Sequence, residues 1–174
     1  MRKIVILTGP VRSGKTNTVK EAVKKLRKTV KTGGITEPKA YKRNSFIGYD
    51  IQEIATGKEF PFLRIEGNEN QQRLGRFFVE AESISKGISA IEASLSSKLL
   101  VIDEIGPLEL SGEGFAEALK TALERTADGV LLLVIRDTLI EKVIETFGID
   151  SAKTVIVPPY MWKDLDDILQ GRLL

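Results

Sequence analysis

The stretch Gly9-Pro10-Val11-Arg12-Ser13-Gly14-Lys15-Thr16 meets the spacing G-x-x-x-x-G-K-[ST] at every fixed position. Its residue types define a chemistry. Gly9 and Gly14 lack a Cβ, so the backbone can turn sharply and approach a ligand closely. Successive N–H groups then converge on an anion at a helix N-terminus. Lys15 has the reach to set its ammonium against β- and γ-phosphates, and Thr16 offers a hydroxyl to Mg²⁺. Arg12 stands at a free position, where a solvated loop side chain is as good a reading as phosphate contact.

A second constellation ends the apolar run Leu99-Leu100-Val101-Ile102-Asp103-Glu104. An acidic residue at such a strand end helps hold the Mg²⁺ that bridges β- and γ-phosphates. Alternation along a strand sends neighbouring side chains to opposite sides, so the two acids need different roles. Asp103 is assigned to the metal, with Thr16, and Glu104 to polarising an attacking water. A carboxylate beside a metal stays ionised and can accept a proton without histidine. Catalysis is thereby assigned to Lys15 and Glu104. Arg136 ends the next apolar run and could stabilise charge on a γ-phosphate, although a structural pairing with Asp137 or a helix end is the simpler reading.

These residues need elements to hold them. Residues 2–8 read as a buried parallel strand, and Val19, Ala22, Val23 and Leu26 recur at helical spacing after the loop. Lys31-Thr32-Gly33-Gly34 reads as a helix stop and turn. From 34 to about 66 the pattern changes to short strands with turns: an antiparallel excursion with hairpins, Pro61 favouring an edge. It carries Lys39, Lys42, Arg43 and Arg64, which suit a solvated edge as well as a substrate role. The spacing of Leu74, Phe77, Phe78, Ala81, Ile84, Ile88, Ile91 and Leu95 predicts a long helix over 71–97, weakened or split at Gly87. Arg73 and Arg76 lie near its start. Residues 115–123 predict a further helix, 130–135 a buried strand, 139–147 a helix, 154–157 a last strand before Pro158-Pro159, and Trp162, Leu165, Ile168 and Leu169 a closing helix. Alternating strands and helices predict an α/β fold: a mainly parallel sheet covered on both faces, in one domain over residues 1–174.

Composition narrows the chemistry. The 174 residues are 42% hydrophobic and 29% charged, ordinary for a globular chain. There is no cysteine, which excludes disulfides and thiolate chemistry, and no histidine, which removes the usual general base and zinc ligand. A net charge of +2 gives no electrostatic case for nucleic acid or membrane as a main partner. No apolar stretch approaches the roughly 18 residues of a membrane span, and a cytoplasmic location is expected.

The P-loop together with Gly33-Gly34-Ile35-Thr36-Glu37 and Asp103-Glu104-Ile105-Gly106-Pro107-Leu108-Glu109-Leu110 resembles the THEP1-type nucleoside triphosphatases. The resemblance implies a RecA-like, three-layer P-loop core and slow, Mg²⁺-dependent hydrolysis of nucleoside triphosphates, ATP and GTP among them, with broad base tolerance. It carries nucleotide binding to Gly9, Pro10, Val11, Arg12, Ser13, Gly14, Lys15 and Thr16, and to Leu99, Leu100, Val101, Ile102, Asp103, Glu104, Ile105 and Gly106. The chain departs from the family pattern at Pro107-Leu108, where Lys-Met is frequent, and at Phe46, where an arginine often precedes a Gly-aromatic pair. Two other functions share the motif: a nucleotide or small-molecule kinase, and a nucleotide-dependent switch. No base-recognition pocket is legible, although Tyr49, Phe60, Tyr160 and Trp162 are each able to stack on a base.

Overall fold

A run such as Val130-Leu131-Leu132-Leu133-Val134-Ile135 is buried at every residue, which requires cover on both faces of its sheet. The computed structural model, which describes residues 2–125 and 128–173, supplies that cover. Four parallel pairings order β10 (Thr154–Val157), β1 (Lys3–Gly9), β9 (Val130–Arg136), β8 (Leu99–Ile105) and β2 (Thr32–Thr36) side by side. Alternate side chains go to opposite layers. Val5, Leu7, Leu99, Val101, Leu132 and Val134 pack against α1 (Lys15–Leu26) and α6 (Leu165–Leu173). Ile6, Leu100, Ile102, Leu131 and Leu133 pack against α2 (Ala81–Ala93), α4 (Ala116–Glu124) and α5 (Ile140–Phe147). A single turn, α3 (Pro107–Leu110), follows β8. The fold is α/β, as the sequence pattern predicts.

Beyond β2 the same sheet continues with antiparallel strands, giving ten among the described residues. β4 (Ser45–Glu53) pairs with β2 on one side and β5 (Glu59–Arg64) on the other, and β3 (Lys39–Lys42) also pairs with β4. β7 (Phe77–Val79) and β6 (Arg73–Leu74) complete the edge. Pairing of β2 with β4 joins this extension to the parallel strands, and each half has one close backbone approach, β2 on β8 and β4 on β5. Gly34 has φ +97°, and a Cβ there would lie 1.9 Å from the Val101 carbonyl oxygen; Gly48 has φ +144°, and its Cβ would lie 1.8 Å from that of Leu63. Neither position admits a side chain.

Three local expectations change. The first helix stops at Leu26, and Thr32-Gly33-Gly34 belongs to β2 rather than to a turn. β2 is also a parallel strand, held by β8, and not the start of the antiparallel excursion. The helix expected over 71–97 is only Ala81–Ala93: Leu74, Phe77 and Phe78 lie in strands, because sheet pairing to Leu63 and Arg64 overrides their helical spacing. Gly87 does not split α2. It leaves room for the Phe115 ring, which a Cβ at 87 would meet at 2.6 Å.

Candidate active site

The C-terminal ends of β1, β9, β8 and β2 lie side by side, where open α/β sheets bind ligands. Gly9 ends β1, and Gly14, at φ +100°, turns the chain into α1, whose first residue is Lys15. No acidic residue stands in the first turn of α1, so nothing opposes an anion at the helix N-terminus. Arg12 is exposed on the loop at φ +60°. Lys15 is 5% exposed; its Nζ donates to the carbonyls of Pro10 (2.8 Å) and Gly9 (3.2 Å).

Both acids of β8 line one cleft with Val11–Thr16 and Arg136, which strand alternation alone does not predict. The pairing of β8 with β9 shifts register between Ile102 and Ile105, and the irregular residues turn Asp103 and Glu104 toward the same space. Glu104 sits between two cations. Its Oε2 lies 3.8 Å from Lys15 Nζ, and its Oε1 accepts from Arg136 Nε at 2.7 Å. Arg136 pairs in register with Gly9, beside the loop, so its partner is Glu104 rather than Asp137 or a helix end.

Asp103 is fully buried; Oδ2 accepts from the Glu37 N–H at 3.3 Å, and the Thr16 hydroxyl lies near the same carboxylate. Burial pushes its pKa up to about 7, with the Glu104 charge adding to the rise and the Thr16 hydroxyl, the Glu37 N–H and Lys15 opposing it. Its Oδ1 is buried and has no hydrogen-bond partner among the described residues. Such an atom is costly unless something else binds it.

Sequence reasoning gave no role to Glu37, at the end of β2. It lines the cleft, and its Oε1 accepts from the Glu104 N–H at 3.2 Å while its own N–H holds Asp103. Burial, with Asp103, Glu104 and Glu109 nearby, holds its pKa well above the ordinary carboxylate value. The signal was present in Gly-Ile-Thr-Glu, but a strand end is not recognisable as a site until its sheet neighbour is known. Glu109 is buried below the cleft, accepting from the N–H groups of Gly106 (2.8 Å) and Phe115 (3.0 Å), and burial raises its pKa. It fixes the turn after β8.

Other expected residues stand back. Leu99, Leu100, Val101, Ile102 and Ile105 are buried in the sheet layers, and Gly106 begins the turn into α3. Of the basic residues of the extension, Lys39 lines the cleft; Lys42 and Arg43 are exposed at a hairpin tip; Arg64 pairs with Asp50 and donates to the Tyr49 carbonyl at 2.8 Å. The cleft, about 770 Å³, reaches Tyr49, Leu74, Arg76 and Phe77. Arg76 lies 5.0 Å from the Phe77 ring centroid and 5.7 Å from that of Phe46. A guanidinium thus stands over the very ring that occupies position 46. Trp162 instead packs behind the loop, its indole N–H donating to the Thr8 carbonyl at 3.0 Å, and Phe60 lies under Lys86. Tyr160 is 79% exposed.

The chain can now be set beside known proteins. The sequence model of a family described as NTPase matches residues 4–158. The nucleoside-triphosphatase THEP1 of Methanosarcina barkeri is 34% identical over 123 residues, covering 69% of this chain and 70% of the relative. That of Thermofilum pendens is 34% identical over 125 residues, covering 70% and 68%. The crystal structure of THEP1 from Aquifex aeolicus superposes with a TM-score of 0.75 at 22% identity, over 97% of this chain and 98% of the other. The solution structure of a human cancer-related nucleoside triphosphatase gives 0.74 at 22%, over 98% and 97%. The two structures share the fold, and the sequence matches fix the lineage: the chain belongs to the THEP1 family of nucleoside triphosphatases.

Proposed function

We propose that the protein hydrolyses nucleoside triphosphates, ATP and GTP among them, to the diphosphate and phosphate, slowly and with Mg²⁺. The observation that carries this reading is Glu104, held between Lys15 and Arg136 at the mouth of the cleft and beside Asp103. The N–H groups of Gly9–Thr16 and the Lys15 ammonium bind the β- and γ-phosphates. The water oxygen attacks the γ-phosphorus, the bond to the β–γ bridging oxygen breaks, and the Glu104 carboxylate takes the water's proton. Arg136 orients Glu104 and adds positive charge beside the transferring group.

The site fits Mg²⁺. Its donors are oxygens, the orphaned Asp103 Oδ1 and the Thr16 hydroxyl. Among the described residues no three acidic side chains form a cage, which suits an ion that keeps waters and uses one or two protein groups plus substrate phosphates. Bound there, the ion would neutralise charge across the β- and γ-phosphates. Broad base tolerance follows because backbone N–H groups and Lys15 read phosphate, not base. The continuous sheet supports taking residues 1–174 as one such domain.

The test is steady-state phosphate release from the four common triphosphates, with and without Mg²⁺. All four should turn over within about tenfold in kcat/KM, since the groups assigned to binding hold the phosphates that all four share, and chelation should stop release. Release that requires an added hydroxyl acceptor would reject hydrolysis.

A further inference from the structure

The cleft is longer than the phosphate site. From the P-loop the sheet edge runs through Arg136 on β9, Asp103 and Glu104 on β8, and Glu37 on β2, to Tyr49 on β4. At about 4.8 Å per strand, β1 and β4 are roughly 19 Å apart. A triphosphate seated with Lys15 on its β- and γ-phosphates places the γ-phosphate toward these acids. Its base therefore points away from β4, and the antiparallel end faces the γ-phosphate from the opposite side.

That end has the make-up of a ring pocket with a cationic rim. Tyr49 and Phe77 meet edge to face with centroids 5.6 Å apart, forming a corner. Leu74 pairs in register with Phe77, which puts both on one face of the sheet. Lys39 pairs in register with Tyr49, which sets its ammonium over the same face. Arg76 stands on the turn between β6 and β7, above Phe77. Lys39 and Arg76 are exposed and line the cleft. Apolar rings flanked by two exposed cations match a planar aromatic ligand that carries an anion.

We propose that the antiparallel end of the cleft is a second ligand site, for a nucleoside monophosphate, occupied together with the triphosphate. The base lies in the Tyr49–Phe77 corner and the phosphate meets Lys39 and Arg76. The site goes beyond hydrolysis but rests on the same seating of the triphosphate. Its occupant stands across the γ-phosphate from the P-loop and competes with water for that space.

The experiment is calorimetric titration of AMP, GMP, CMP and UMP into the full chain saturated with Mg²⁺ and a non-hydrolysable β,γ-imido triphosphate. Expected is one equivalent of monophosphate bound without release of the analogue, with affinity reduced about tenfold by Arg76→Ala or Lys39→Ala, the scale of one charge-assisted contact. Tyr49→Ala should weaken monophosphate binding and leave the analogue's affinity within about twofold, a shift well below one contact. Three outcomes overturn the proposal: no monophosphate bound at millimolar concentration, displacement of the analogue by monophosphate, or equal loss of both affinities in Tyr49→Ala, which would put the triphosphate's own base on the wall. Phosphate release from triphosphate alone by the unaltered chain tests hydrolysis separately.

Discussion

The two halves of the sheet are built on opposite plans. In the parallel half, strands such as Leu99–Ile102 and Val130–Ile135 are apolar throughout, buried on both faces, and end in the groups of the proposed chemistry: Gly9, Arg136, Asp103 and Glu104. In the antiparallel half, β3 is largely exposed and β4 largely half-buried, and they carry aromatic and basic side chains on the cleft face. Rigid, doubly covered strands suit groups that must hold position to fractions of an ångström. A half-exposed surface suits recognition, where a ring or guanidinium can adjust. In the proposed function the difference divides labour along a single cleft, the proposed phosphate site at one end and a wall of rings at the other.

That division can be broken at either end. Lys15→Ala should lower kcat/KM for triphosphate by about 10³-fold, near 4 kcal/mol, because it removes the charge set against the β- and γ-phosphates; a rate within tenfold of the parent would take the chemistry away from the parallel half. Phe62→Ala, on β5, removes a ring 2% exposed that packs 5.9 Å from Phe115. It should cost about 3 kcal/mol in urea unfolding while kcat/KM of the folded fraction stays within about threefold. A large loss of kcat instead would show that the two halves do not act independently.

Glu104→Gln should reduce kcat by about 10²-fold while binding of triphosphate persists, since the amide cannot take the water's proton. Full hydrolysis by this variant would transfer the proton to another group. The smallest effect expected is a pH slope. Asp103 titrates near 7 in the folded chain against about 3.9 unfolded, so the folded state binds more protons between those values and stability falls as pH rises. Glu37 and Glu109, also raised, add to the same trend. The slope should be on the order of 1 kcal/mol per pH unit approaching neutrality. Urea unfolding at pH 5 and pH 7 should show it, and Asp103→Asn should flatten it; an unchanged slope in that variant would assign the effect to the other two acids.

Legibility followed the same division. The P-loop is eight consecutive residues, and each apolar strand announces itself by composition, so the phosphate end was readable. Glu37 was not given a role, since its meaning depends on β2 lying beside β8. Leu74, Phe77 and Phe78 carry a misleading helical spacing because three- and four-residue spacings arise by chance in aromatic strands, and only pairing with β5 settles the period. Arg136 is legible as a strand end but its partner is not, because Glu104 is distant in sequence and close only through the β8–β9 register shift.

Short stretches of chain carry what is local: a G-x-x-x-x-G-K-T loop with Lys15 and Thr16, an acidic strand end at Asp103-Glu104, an α/β alternation, and the absence of histidine and cysteine. Nearest-neighbour sterics and apolar runs suffice for these. The tertiary structure decided what needs strands to lie side by side: that Asp103 and Glu104 share one cleft, that Arg136 and Lys15 bracket Glu104, that Glu37 reaches both acids, and that Tyr49 and Phe77 form a wall beyond them. Sheet order and register are long-range properties, fixed by packing against both layers rather than by any short stretch of chain.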